Sequence, residues 1–118
     1  MGTTFEDRES AFETKFVHDE ELKFRARARR DKLFARWAAG RLGLAGAAWD
    51  DFVRELLAVQ GFPRHETALL RFATERLTQA GQDAADAPAI LMRLGEEAAD
   101  QVRQGTTAPV DLSAPPAA

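Results

Sequence analysis

Four adjacent polar residues, His18, Asp19, Glu20 and Glu21, are of the types that bind divalent cations. Consecutive helical residues point in different directions, so these four do not converge on one ion without ligands from elsewhere. There is no cysteine, which removes thiol nucleophiles, disulfides and cysteine-based zinc sites. Ser10 and Ser113, the only serines, stand in no nucleophile elbow, and no glycine-rich phosphate loop occurs. His65 beside Glu66 reads as ordinary polarity at a helix start. No pair of carboxylates falls where a small bundle could enclose it. We therefore expect no catalytic residues, no metal and no cofactor, and read the chain as something other than an enzyme.

Two further sets of residues suggest binding rather than catalysis. Lys23, Arg25, Arg27, Arg29, Arg30 and Lys32 could grip phosphate, as on nucleic acid. Their charges spread around a helix instead of forming one face. A solvated surface that complements the acids upstream is favoured, so nucleic acid is not expected as a partner. A helical adaptor or nucleic-acid-binding protein using the basic stretch 23–36 stays as the alternative. The second set is an edge of three phenylalanines, Phe5, Phe12 and Phe16, flanked by Arg8, Glu9, Glu13 and Lys15. An apolar edge within a charged surround is what a grooved protein partner would take up.

Both sets lie on one stretch. Between Gly2 and Gly40 there is neither proline nor glycine, and the pattern is helical. Thr3 with Glu6, and Thr4 with Asp7, resemble capping boxes. From Phe5 to Glu21 there are seven acids and two bases, and from Leu22 to Arg36 seven bases and one acid. That order suits the helix dipole. A helix over residues 5–42 would be roughly 57 Å long, against roughly 21–27 Å for each helix that follows, so a bundle can cover only about half of it. At about 100° per residue, Leu22, Ala26, Leu33 and Trp37 share a face, and the phenylalanines sit about 70° away from it. Two faces imply two partners, the bundle and something else. Alone, the first segment is marginal as a helix. Residues 1–19 are thus expected to project or be mobile, joined near His18–Glu21 to a bundle domain of residues 20–105.

Glycines 40, 43 and 46 end the first helix. A second is expected over 47–60, with Trp49, Phe52, Val53, Leu56, Leu57 and Val59 inward, Asp50 and Asp51 in its first turn, and Gly61 as a left-handed cap. Phe62 would fold back on Leu57 and Pro63 would prevent continuation. The third, over 64–80, has a stripe of Ala68, Leu69, Phe72, Ala73, Leu77 and Ala80 and closes at Gly81. The fourth starts near Asp86 as N-cap, with Pro88 in its first turn. Its stripe is Ile90, Leu91, Leu94, Ala98 and Val102, and Gly105 ends it. Gly95, inside it, weakens it by roughly 1 kcal/mol against alanine. Residues 106–118, with Pro109, Pro115 and Pro116, read as a disordered tail. The fold class is all-α, a four-helix bundle. With no apolar run near the roughly 18 residues of a membrane helix, no secretory signal, and Glu6 where a myristoylation site wants Ser or Thr, the expected setting is cytoplasmic, without direct membrane insertion.

The first forty residues also closely resemble a known family. Phe5 to Arg8, the AFE of Ala11 to Glu13, Lys15–Phe16, the HDEEL of His18 to Leu22, the ARR of Ala28 to Arg30, Lys32–Leu33 and the WAA of Trp37 to Ala39 match the opening of the zeta subunit of α-proteobacterial F-type ATP synthases. Looser agreement continues through Ala80–Gly81, Ile90, Met92, Gln101 and Val102, so the resemblance spans about residues 3–104. It implies a four-helix bundle with an N-terminal inhibitory region that inserts into the catalytic head, at the α/β interface near γ. That would block rotation in the direction of ATP hydrolysis. It also implies association with the inner membrane through the ATP synthase. On this resemblance Phe5, Phe12 and Phe16 are the expected anchors, and Arg8, Glu9, Glu13 and Lys15 the contacts that fix register.

Overall fold

The computed structural model describes residues 3–61 and 64–117, apart from the side chains of residues 3–6 and 12. It contains four helices: α1 (Thr3–Arg41), α2 (Gly46–Leu57), α3 (His65–Gln79) and α4 (Ala87–Arg103). Among the described residues there is no strand. The fold is the expected all-α arrangement of four packed helices. The capping boxes at Thr3 and Thr4, and the roles given to Phe62 and Pro63, lie outside what is described.

α1 is the axis of the fold. It packs chiefly against α4 and then against α2. At about 1.5 Å per residue, its 39 residues span roughly 58 Å. The molecule is accordingly 70 × 30 × 21 Å. The helix does not break near residues 18–21, where a junction was expected, nor at Gly40, which lies within it. It ends where Gly43 turns to φ +69° and the Leu44 N–H reaches back to the Ala39 carbonyl at 3.1 Å. Left-handed Gly81 and Gly105 close α3 and α4 in the same way. Gly61 does not have a left-handed φ. α2 stops earlier than expected, at Leu57, with Ala58 N–H bonded to the Arg54 carbonyl. Because α2 starts at Gly46, Asp50 and Asp51 fall beyond its first turn.

The core joins all four helices. From α1 come Leu33, Phe34, Ala35, Ala38 and Ala39; from α2, Trp49, Phe52, Val53 and Leu56. α3 supplies Leu69, Ala73 and Leu77, and α4 supplies Leu91, Leu94 and Ala98. Of the face expected on α1, Leu33 is buried, whereas Leu22, Ala26 and Trp37 are half-buried. Phe34, fully buried, lies outside that narrow stripe. A helix packed by three others buries an arc wider than one stripe, and the alanines at 35, 38 and 39 let those neighbours approach. Phe52 meets Phe72 across α2 and α3, with ring centroids 5.7 Å apart. Ala80, placed in the α3 stripe, is exposed.

Residues 106–117 are not the disordered tail that their prolines suggested. They run without regular structure back across the bundle. Val110 is buried, and Leu112 and Ala114 pack against the core. The indole N–H of Trp49 donates to the Leu112 carbonyl at 2.9 Å, and the Gly46 N–H donates to that of Pro115 at 3.0 Å. Arg29 donates to the Ala108 carbonyl at 2.6 Å. The composition rule missed this segment because side chains from α1 and α2 satisfy its backbone carbonyls.

Candidate partner-binding site

Every described side chain from Asp7 to Glu21 is exposed. Arg8, Glu9, Glu13 and Lys15 stand in solvent, and Phe16 and Val17 are 59% and 65% exposed. The side chains of Phe5 and Phe12 lie outside the described residues. Their backbone positions, with that of Phe16, place all three on one edge of α1, as spacings of seven and four residues on a helix require. The hydrogen bonds described in this half stay inside the helix: the Thr14 hydroxyl to the Ser10 carbonyl at 2.9 Å, Lys23 to Glu20 at 3.3 Å, and Arg25 to Glu21. The bundle therefore does not position the candidate residues by contact. It holds the C-terminal half of α1, and continuity of the helix aims the rest outward.

The first residues held by the bundle are arginines. The Arg29 guanidinium donates to the Gln101 amide oxygen on α4. Arg30 is buried at 8% exposure. Its Nε and Nη2 donate to Asp31 Oδ1 at 3.0 and 2.9 Å, and its Nη1 donates to Glu66 at 2.8 Å. His65 Nε2 lies 2.9 Å from the other oxygen of Asp31. This cluster ties α1 to the start of α3, so His65 and Glu66 do more than the sequence indicated. The signal in the sequence was Arg30 itself, one turn before Leu33 on the inward side. Arg41 bonds to Asp86 at 3.0 Å. Asp86 sits at the N-cap of α4 without making a side-chain cap bond.

Gly95 faces Arg30. A Cβ there would lie 3.3 Å from Arg30 Cδ. The glycine that weakens α4 in isolation is what lets the Arg30 stem cross it.

The basic run is thus divided. Lys23, Arg25, Arg29 and Arg30 bond within the protein, as does Arg36, to the Asp111 carbonyl at 3.4 Å. What remains does not form the continuous cationic face that a phosphate backbone would need. Among the described residues no group of acids and histidines could hold a metal ion, and none of their helices is long and apolar enough to cross a membrane.

A family model described as ATPase inhibitor subunit zeta matches residues 2–102. No curated protein and no solved structure matched the chain. The match takes in α1 to its first described residue, the bundle and all but the last residue of α4. It stops before the segment that crosses back over the core. An exposed helical arm fixed to a small bundle is consistent with that description. On the extent of the match, the chain belongs to the ATPase inhibitor subunit zeta family, whose membership implies a regulator that binds the F-type ATP synthase and inhibits its ATPase rather than an enzyme in its own right.

Proposed function

We propose that residues 1–19 are the inhibitory segment and that residues 20–105 are the domain that carries it. The segment enters the catalytic head at the α/β interface near γ and opposes rotation in the direction of hydrolysis. Phe5, Phe12 and Phe16 bury against the head, and Arg8, Glu9, Glu13 and Lys15 fix their register. The protein sits in the cytoplasm, at the inner membrane only through the synthase. One observation carries this reading: α1 is helical from Thr3, and its described side chains from Asp7 to Glu21 are exposed beyond the bundle. An exposed apolar edge on a projecting helix is suited to a partner's groove.

The energetics favour such docking. Burying a phenylalanine contributes about 1.5–3 kcal/mol. An isolated segment must first nucleate its helix, but here the bundle-held half of α1 supplies that nucleus, and the arm only extends it. Ordering on binding then costs less than for a free peptide.

The test adds purified protein to the isolated ATPase head and follows hydrolysis. The full chain should inhibit. A chain starting at Glu20 should keep its thermal unfolding transition and lose inhibition. Equal inhibition by both chains would remove the arm from the function.

A further inference from the structure

Besides Phe16, α1 exposes one more aromatic residue among those described. Phe24 is 66% exposed, eight residues after Phe16 and just before the helix is gripped by the bundle. With Val17, seven residues earlier and 65% exposed, it forms a second apolar line on α1. At about 100° per residue this line is roughly 100° round from the edge of Phe5, Phe12 and Phe16. Ala35 and Ala38 continue this face into the core, but Val17 and Phe24 lie before the bundle covers it and stay exposed.

Phe24 is a ridge between two clefts. On one side it borders a cleft of ≈ 690 Å³ with Arg27, Arg64 and His65 in its wall. On the other, a cleft of ≈ 490 Å³ runs under the crossing segment, with Arg25, Lys32 and the backbone near Ala108 in its wall. Lys23, Arg25 and Arg27, all exposed, surround the ring along α1. Glu20 and Glu21 pair with Lys23 and Arg25, while Asp31 and Glu66 are engaged by Arg30 and His65. Among the described residues, Arg27, Lys32 and Arg64 have no carboxylate within ion-pair distance. The surround of Phe24 is therefore cationic around an apolar centre, the reverse of the exposed acids Asp7, Glu9 and Glu13 toward the far end of α1.

We propose that this shoulder is a second docking surface for the F-type ATPase head, occupied by an apolar pocket on the head with carboxylates at its rim. The proposal rests on the reading of residues 1–19 as the inhibitory segment. Charge complementarity selects the rim, and continuity selects the partner: Phe24 is only about 12 Å along the helix from Phe16, so a body that engulfs the arm meets the shoulder next. The arm supplies the block, and the shoulder sets how far the arm enters and how firmly the bundle is held.

The experiment measures both binding to the isolated ATPase head and hydrolysis, using full-length chains. Phe24→Ala should weaken binding by at least about tenfold with an unchanged unfolding temperature. Phe24→Leu should recover most of the loss. Arg27→Glu combined with Arg64→Glu should weaken binding and flatten its salt dependence. Met92→Ala, which removes an equally exposed hydrophobe on α4, should leave binding unchanged. Wild-type affinity for Phe24→Ala overturns the shoulder, even if Phe16→Ala confirms the arm. Loss of self-association by Phe24→Ala with unchanged binding to the head would overturn it too, assigning the face to a second copy. If the wild-type chain binds without inhibiting and Phe24→Ala weakens that binding, the shoulder stands and the inhibitory reading of the arm fails. If the wild-type chain does not bind the head, both fail.

Discussion

Arg30 illustrates how one charged side chain can define where a helix begins to belong to a domain. Its guanidinium is held by Asp31 and Glu66 while its stem crosses Gly95. Removing one partner of a buried ion pair leaves the other's desolvation uncompensated. Arg30→Ala should therefore destabilise the bundle by about 3 kcal/mol in denaturant unfolding. Asp31→Asn should have a smaller effect, because the amide still accepts a hydrogen bond. Gly95→Ala tests the same contact from the other side. Alanine should add about 1 kcal/mol of helix propensity, but its Cβ would crowd an Arg30 stem that the ion pairs keep in place. The unfolding temperature is expected not to rise, and a clear increase would show that Arg30 can move aside. In the sequence Arg30 reads only as one cation among six and Gly95 only as a weak point, although Arg30's place on the inward side is the available signal.

At the scale of elements, α1 and the crossing segment make opposite predictions about order. The arm has no described contact with the bundle, so its amides open by local fraying; those of residues 30–40 open only with the core. Hydrogen exchange should separate the two by orders of magnitude within one continuous helix. The Gly46 amide and the Trp49 indole N–H, which donate to carbonyls of residues 106–117, should be protected. Trp49→Phe, which removes the bond to the Leu112 carbonyl, should lower stability by about 1 kcal/mol. The Asp111 carboxyl is held below the usual carboxylate range, first by the Ser113 hydroxyl and also by the Ser113 N–H, with Arg36 adding to the effect. Because its folded pKa is depressed, whatever stability this turn adds is present at neutral pH. It is lost as pH falls through the folded value. The helices themselves were legible: periodic apolar residues and the glycines at 43, 81 and 105 marked three of the four ends. The C-terminal end of α2 was not, since Leu57 carries no strong boundary signal. The crossing segment was illegible for a different reason. Its order comes from Trp49, Arg29 and Arg36, residues distant in the chain, and local composition is blind to such partners.

For the whole molecule, the difference in length between α1 and the bundle was readable from the chain, and so was the family. The direction of the arm was not. Helical periodicity cannot say whether an uncovered half continues straight, bends back or breaks, and the expected junction at 18–21 proved to be uninterrupted helix. The candidate residues all lie on the half of α1 outside the bundle, and contact with a partner is what would give them meaning. Phe12→Ala with Phe16→Ala should weaken inhibition at least about tenfold while leaving thermal stability unchanged. A large fall in stability would place those rings in the fold instead.

The unbroken backbone through residues 18–21 makes the protein a lever. About twenty residues of helix beyond the bundle form an arm of roughly 30 Å, so tilting the bundle by about 10° swings the tip by about 5 Å. A straight rod also carries load. On the proposed reading, torque applied to the tip is resisted where α4 and the crossing segment clamp α1, not merely where the tip lies. Replacing Glu20 and Glu21 by glycines would put a soft joint in that rod. Such a chain should keep its anchors and its fold, yet yield under the torque of hydrolysis, with inhibition failing as ATP concentration rises.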